Sequence, residues 1–192
     1  MQKDRRIPGA GAALGIAAIL AVGVSMGGAI GAGHKKMQPC CDDASIAYSK
    51  SLWAALTEAR LVGASAINTR PYEGQVPHGA VLQTIDTSVT VGKHTGRVVV
   101  KKNYGPKGLS LTDVWTAPNK HLKAVTVMFK REAGYDTDNA DWFWAKYKPD
   151  GSLDSTPQGL QLAGRVMKGA DKGCIACHSV ADGKDYLFIN DK

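Results

Sequence analysis

The order of apolar and polar positions divides the chain into a helical start, a middle built of strands and a helical end. Leu52, Trp53, Leu56 and Ala59 recur on one side of a 3.6-residue period, which predicts a helix from Ser45 to Ala64 capped by Asp43 or Ser45. Residues 69–80, TRPYEGQVPHGA, carry the prolines and glycines of a loop. Val81 to Val91 alternates imperfectly and predicts a strand, and Gly92 to Gly96 turns the chain. Arg97 to Lys102, RVVVKK, reads as a strand with apolar side chains on both faces, and Tyr104 to Gly108 as a turn. His121 to Lys130 and the aromatic run Trp142 to Lys148 are two more strands, separated by a polar turn at Gly134 to Asn139. Asp150-Gly151 turns again, Gln158 to Ala170 predicts a helix, and Tyr186 to Ile189 a short closing strand. Strands in the middle with helices at the ends predict an α+β fold, a mainly antiparallel sheet with flanking helices. There is no internal repeat.

The first 33 residues follow a different pattern. Lys3, Arg5 and Arg6 form a basic start, and Gly9 to Gly33 then runs without a charge. That is the layout of a secretory signal or an uncleaved membrane anchor. The apolar run exceeds the ~20 residues that span a bilayer. Ala29, Gly31 and Ala32 are small enough for a signal peptidase, and Arg5-Arg6 reads as a plain basic start in preference to a twin-arginine signal. The expected organisation is therefore a signal or anchor over 1–33, a linker over 34–44 and one domain over 45–192. The expected location is the periplasm, with inner-membrane attachment only through an uncleaved leader.

Charge narrows the class further. The 192 residues carry a formal net charge of +7, and the three basic and one acidic side chains of the leader account for two of those units. The remaining basic residues are scattered, which is a solvated surface and not a nucleic-acid footprint.

The most specific chemistry lies near the end of the chain. Cys174-Ile175-Ala176-Cys177-His178 has the spacing C-x-x-C-H of a c-type haem attachment site. Two thiols three positions apart on a turn can each add to a haem vinyl group, and the next histidine can turn one imidazole nitrogen to the iron. A zinc site would need a second ligand pair, whereas Cys40 and Cys41 are adjacent and far upstream. Free thiols, pairing between chains and, for Cys40, lipid attachment are the open roles of those two, although Met37-Gln38-Pro39 is a poor lipid-attachment signal. One covalent haem c is thus expected, held by Cys174 and Cys177 with His178 as axial ligand.

Several local patterns combine around that motif. They are Gly96-Arg97-Val98-Val99-Val100-Lys101, Thr126-Val127-Met128-Phe129-Lys130 before Gly134-Tyr135-Asp136, Asp141-Trp142-Phe143-Trp144 with Lys146-Tyr147, and Asp185-Tyr186-Leu187-Phe188 behind the haem motif. Their order and spacing over roughly residues 70 to 190 resemble the cytochrome P-460 family. The resemblance implies a mono-haem periplasmic protein on an antiparallel sheet, often a homodimer, and not the all-helical plan of small electron carriers. It also implies one of two activities. One is oxidation of hydroxylamine at a haem crosslinked to a lysine, with a soluble cytochrome as electron acceptor. The other is the binding of nitric oxide or carbon monoxide without a crosslink, as in cytochrome c′-beta. Lys101 occupies the place of the crosslinking lysine, and Lys102 stands where that pattern usually has Glu.

An open iron position separates these readings from a plain electron carrier, in which Met128 or Met167 would supply a sixth ligand. Ordinary core packing is the competing role for Met128. Glu132, Asp136 and His78 are candidate proton acceptors, and Phe129, Trp142 and Trp144 are candidate haem walls. A lysine after three valines is otherwise the solvated end of a strand.

Overall fold

The structure is a computed structural model that describes residues 41–188. The predicted leader, Cys40 and Ile189 lie outside the described residues. Helix α1 spans Asp43–Glu58 and is capped by Asp42, whose carboxylate accepts from the Ser45 backbone N–H at 2.7 Å. The cap therefore falls one residue before the earlier of the two expected. The helix also stops six residues short of Ala64. Arg60 takes a left-handed φ of 58°, Arg60 N–H donates to Thr57 O and Leu61 N–H reaches back to Leu56 O. This pair of bonds is a Schellman stop, and it folds Leu61 and Val62 under the helix they would otherwise extend.

Six strands follow as an antiparallel meander in chain order. They are β1 (Tyr72–Glu73), β2 (Val81–Val91), β3 (His94–Tyr104), β4 (Leu122–Lys130), β5 (Trp142–Tyr147) and β6 (Ala163–Gly164). The four strands expected between Val81 and Lys148 are present and pair antiparallel. The hairpin between β2 and β3 closes on two residues, Gly92 and Lys93, with Val91 opposite His94 and Gly92 at φ 63°. Two short helices fill the connection from β3 to β4, α2 (Leu111–Thr116) and α3 (Pro118–His121). Ser110 and Asp113 start α2 with a reciprocal capping box.

The helix predicted over Gln158–Ala170 does not form. Gly159, Gly164 and Gly169 take positive φ, as does Met167, so the backbone cannot hold a continuous α turn there. Instead the segment doubles back on β5, with Lys146 N–H donating to Leu162 O and Trp144 paired with Gly164. A Cβ at Gly164 would lie 2.5 Å from Ser45 Oγ, so glycine lets β6 pass directly under α1. Nor is there a strand over the described residues 186–188, where Tyr186 turns with a φ of 65°.

The sheet is buried on both faces, and strict alternation gives each face its own residues. Val98, Val100, Val125, Val127, Phe129, Phe143, Ala145 and Tyr147 pack with Leu52 and Leu56 of α1. Val99, Met128, Trp142 and Trp144 face the other way and pack with Val166, Ile175 and Leu187. Among the described residues no helix is long and apolar enough to cross a membrane. Leu52 is fully buried between α1 and the sheet. Leu52→Ala is expected to cost about 2–5 kcal/mol of stability, read as a lower denaturant midpoint at unchanged slope.

Candidate functional site

The C-x-x-C-H residues form a single helical turn, α4 (Cys174–His178). Gly173 opens it at φ 130°, and a Cβ there would collide with Met167. Ile175 anchors the turn in the second core, which leaves Cys174 half-buried and Cys177 exposed as free thiols. Positions i and i+3 share one side of a helical turn, so the two thiols and the following histidine present together. Burial pushes the Cys174 thiol pKa up. Cys41, by contrast, is disulfide-bonded and its sulfur accepts from the Ala163 N–H.

His178 is fixed on several sides. Its Nδ1 lies 2.7 Å from Tyr186 O. A carbonyl oxygen only accepts, so Nδ1 carries the proton and the lone pair resides on Nε2. Trp144 and Phe188 pack against the ring at centroid distances of 4.9 and 5.4 Å. Burial lowers the His178 pKa, and the Lys101 charge adds to that.

Across from it stands His78, from the loop between β1 and β2, with ring centroids 6.3 Å apart and planes at 89°. Its Nδ1 is 3.0 Å from Asn103 Oδ1. The Asn103 amide nitrogen is committed to Lys101 O, Ala124 O and Thr126 Oγ1, so its oxygen faces the histidine as acceptor. His78 therefore also holds its proton on Nδ1. Burial, then the Lys101 charge, brings its pKa down to about 4, and the ring is neutral at physiological pH. Of the three candidate proton acceptors, the fold brings this one to the motif. Glu132 is exposed and paired with Arg131, while Asp136 is buried in a structural clamp with Lys168, Arg165 and Asn139.

Lys101 lies on the same sheet face, in a cross-strand row of Thr84, Lys101, Thr126 and Lys146. Lys146 is ion-paired with Asp154 at 2.8 Å. Lys101 is half-buried, and among the described residues its Nζ has no hydrogen-bond or salt-bridge partner, so desolvation lowers its pKa. It is not a solvated strand end. Lys102 points through to the α1 face, 4% exposed, and donates to Ile67 O at 2.7 Å. Its departure from the Glu of the family pattern is thus turned away from His178.

Phe129 is on the α1 face as well, packed with Tyr48 and His94, and does not wall the site. Trp142 and Trp144 do face it. Trp142 donates to Asp185 O, whereas Trp144 Nε1 is buried and has no partner among the described residues. Met128 and Met167 pack in the core cluster around Ile175.

The model of the cytochrome P-460 family matches residues 61–189. The chain belongs to the cytochrome P-460 family. It is therefore a haem cytochrome and, broadly, a haem oxidoreductase. No curated protein and no solved structure shows a significant match. The residues present fit the cofactor of this family. Among the described residues, two unpaired thiols, an imidazole whose Nε2 has no partner and an indole N–H without an acceptor occur together beside one sheet face. A buried donor without a partner calls for an acceptor, and a haem carboxylate is of that kind.

Lys102 supplies a test of the two-faced sheet. Burial lowers its pKa from 10.5 to about 8. Between those values the unfolded chain binds the extra proton and the folded one does not, so stability rises with pH over that window. The cost of the charged amine is present in full below pH 8. Denaturation at pH 7 and pH 10 should show this gain in the native chain, and Lys102→Met should remove it.

Proposed function

We propose that the chain is an exported mono-haem c-type cytochrome that oxidises hydroxylamine or a related small nitrogen compound. Cys174 and Cys177 would hold the haem through thioethers, and His178 Nε2 would be its axial ligand. When bound there, the haem would supply an iron able to take a small nitrogen compound and its electrons. The chain's own residues account for the rest. The Tyr186 carbonyl selects the His178 tautomer and strengthens Nε2 as a donor. Trp144 and Phe188 keep the ring from rotating. Oxidation of hydroxylamine releases protons, and His78 is the neutral base that the fold brings to the motif.

The observation that carries the reading is the desolvated Lys101 amine, without a partner among the described residues, on the sheet face that also bears Trp144. An amine must be neutral to bond to carbon, and burial without a counter-charge favours that form. Joining Nζ to a ring carbon removes two hydrogen atoms in all, so maturation of such a tether requires a two-electron oxidant such as peroxide. The electrons of turnover would leave to a soluble cytochrome.

Mass spectrometry of the matured protein tests this directly. The expected result is one haem per chain on the peptide of Cys174 and Cys177, with the Lys101 peptide attached to the same haem. Lys101→Ala should keep the thioether-bound haem and lose hydroxylamine oxidation by about 100-fold or more, on the scale of a removed catalytic group. An unmodified Lys101 in fully matured protein would instead make the chain a binder of nitric oxide or carbon monoxide.

A further inference from the structure

His78 and His178 stand in a relation that the proposed chemistry leaves unexplained. Each ring spends its Nδ1–H on an oxygen acceptor, Asn103 Oδ1 for one and Tyr186 O for the other. Among the described residues neither Nε2 has a hydrogen-bond partner, and the rings do not bond to each other. Two neutral rings in edge contact gain only about 0.5–1.5 kcal/mol, which gives no reason for both to be locked in the same tautomer. A common metal does give one, because a ligating histidine regularly donates its other N–H to a carbonyl or amide oxygen.

The spacing agrees. An imidazole nitrogen sits about 2 Å from a bound transition metal, so two rings on opposite sides of one metal have centroids roughly 6 Å apart. The observed separation is 6.3 Å. A distal histidine that hydrogen-bonds an iron-bound molecule would stand farther off, because a hydrogen bond of about 2.8 Å is added to the path. The separation selects direct ligation over that role.

We infer that His78 is the second axial ligand of the haem iron in the resting protein, and that a small molecule reaches the iron by displacing it. This rests on the haem placement proposed above. The two ligands are held unequally. His178 lies in a one-turn helix whose Ile175 is in the core, with Trp144 and Phe188 against its ring. His78 belongs to a loop of exposed residues, Gln75 to Pro77, and its side chain is tied by one hydrogen bond. Displacement therefore occurs at His78, and the freed Nε2 becomes available to take a proton from the incoming compound.

The test is the electronic state of the iron in the matured holoprotein. The expected resting ferric spectrum is low-spin and six-coordinate, with the strongly anisotropic paramagnetic resonance of crossed imidazole planes. His78→Ala should turn it high-spin, and added imidazole should restore the low-spin form, which also shows that the variant is folded. His78→Met should stay six-coordinate with a histidine–methionine spectrum. If His78 holds the iron in about nine molecules in ten, its removal tightens carbon monoxide binding about tenfold. A high-spin resting spectrum, or a His78→Ala protein that remains low-spin without imidazole, overturns the assignment while leaving the cytochrome standing. Matured protein that carries no covalent haem overturns both.

Discussion

Strict alternation along a sheet that is buried on both faces is the constraint from which the rest follows. In β3 the residues Val98, Val100 and Lys102 go to the α1 side, and Val99, Lys101 and Asn103 go to the side of the haem motif. A slip of one residue would exchange the two sets, placing the desolvated lysine in the folding core and the core valines at the site. The register between β2 and β3 is set by a two-residue turn at Gly92 and runs unbroken from Val91 to Val81. Register between β3 and β4 is even from Val98 to Asn103 and shifts only at Tyr104, beyond the functional positions. Folding and chemistry are thus coupled through one pairing pattern, and each strand serves both.

The hydrogen bonds around the two histidines show how the backbone decides chemistry without touching a substrate. Tyr186 can present its carbonyl to His178 because it takes a left-handed turn at φ 65°, directly after Asp185 has received the Trp142 indole N–H. Trp142 and Trp144 lie two residues apart on one face of β5. One therefore fixes the chain behind the motif, and the other packs on the histidine that this chain segment orients. The aromatic strand is a positioning device as much as a core.

Much of this was legible in the sequence. The meander was readable because Val, Thr and aromatic runs alternate with Gly-Pro, Asp-Gly and Gly-rich turns, and C-x-x-C-H needs no tertiary information. The misread parts have particular causes. Leu162 and Val166 have helical spacing, but Gly159, Gly164 and Gly169, before, between and after them, take φ values that forbid a helix. Arg60 ends α1 in a conformation more usual for glycine, and no local signal marks it. Phe129 and Met128 could be assigned to opposite faces, but not to the right ones, since alternation alone carries no label for which face holds the haem motif. His78 could not be placed because its link is to Asn103, a contact between residues 25 apart that only strand pairing creates.

The neighbouring lysines of β3 carry this logic to its end. Lys101 and Lys102 are chemically identical and adjacent, and burial lowers the pKa of both. They differ in what surrounds the amine. Lys102 donates a hydrogen bond to the Ile67 backbone carbonyl on the α1 side, so its amine is engaged in structure. Lys101 has no such acceptor among the described residues and shares its row with Thr126 and an already paired Lys146. A depressed pKa by itself would not separate a reactive lysine from a structural one. The presence of an acceptor for one amine and its absence for the other does, and strand alternation decides which lysine receives it.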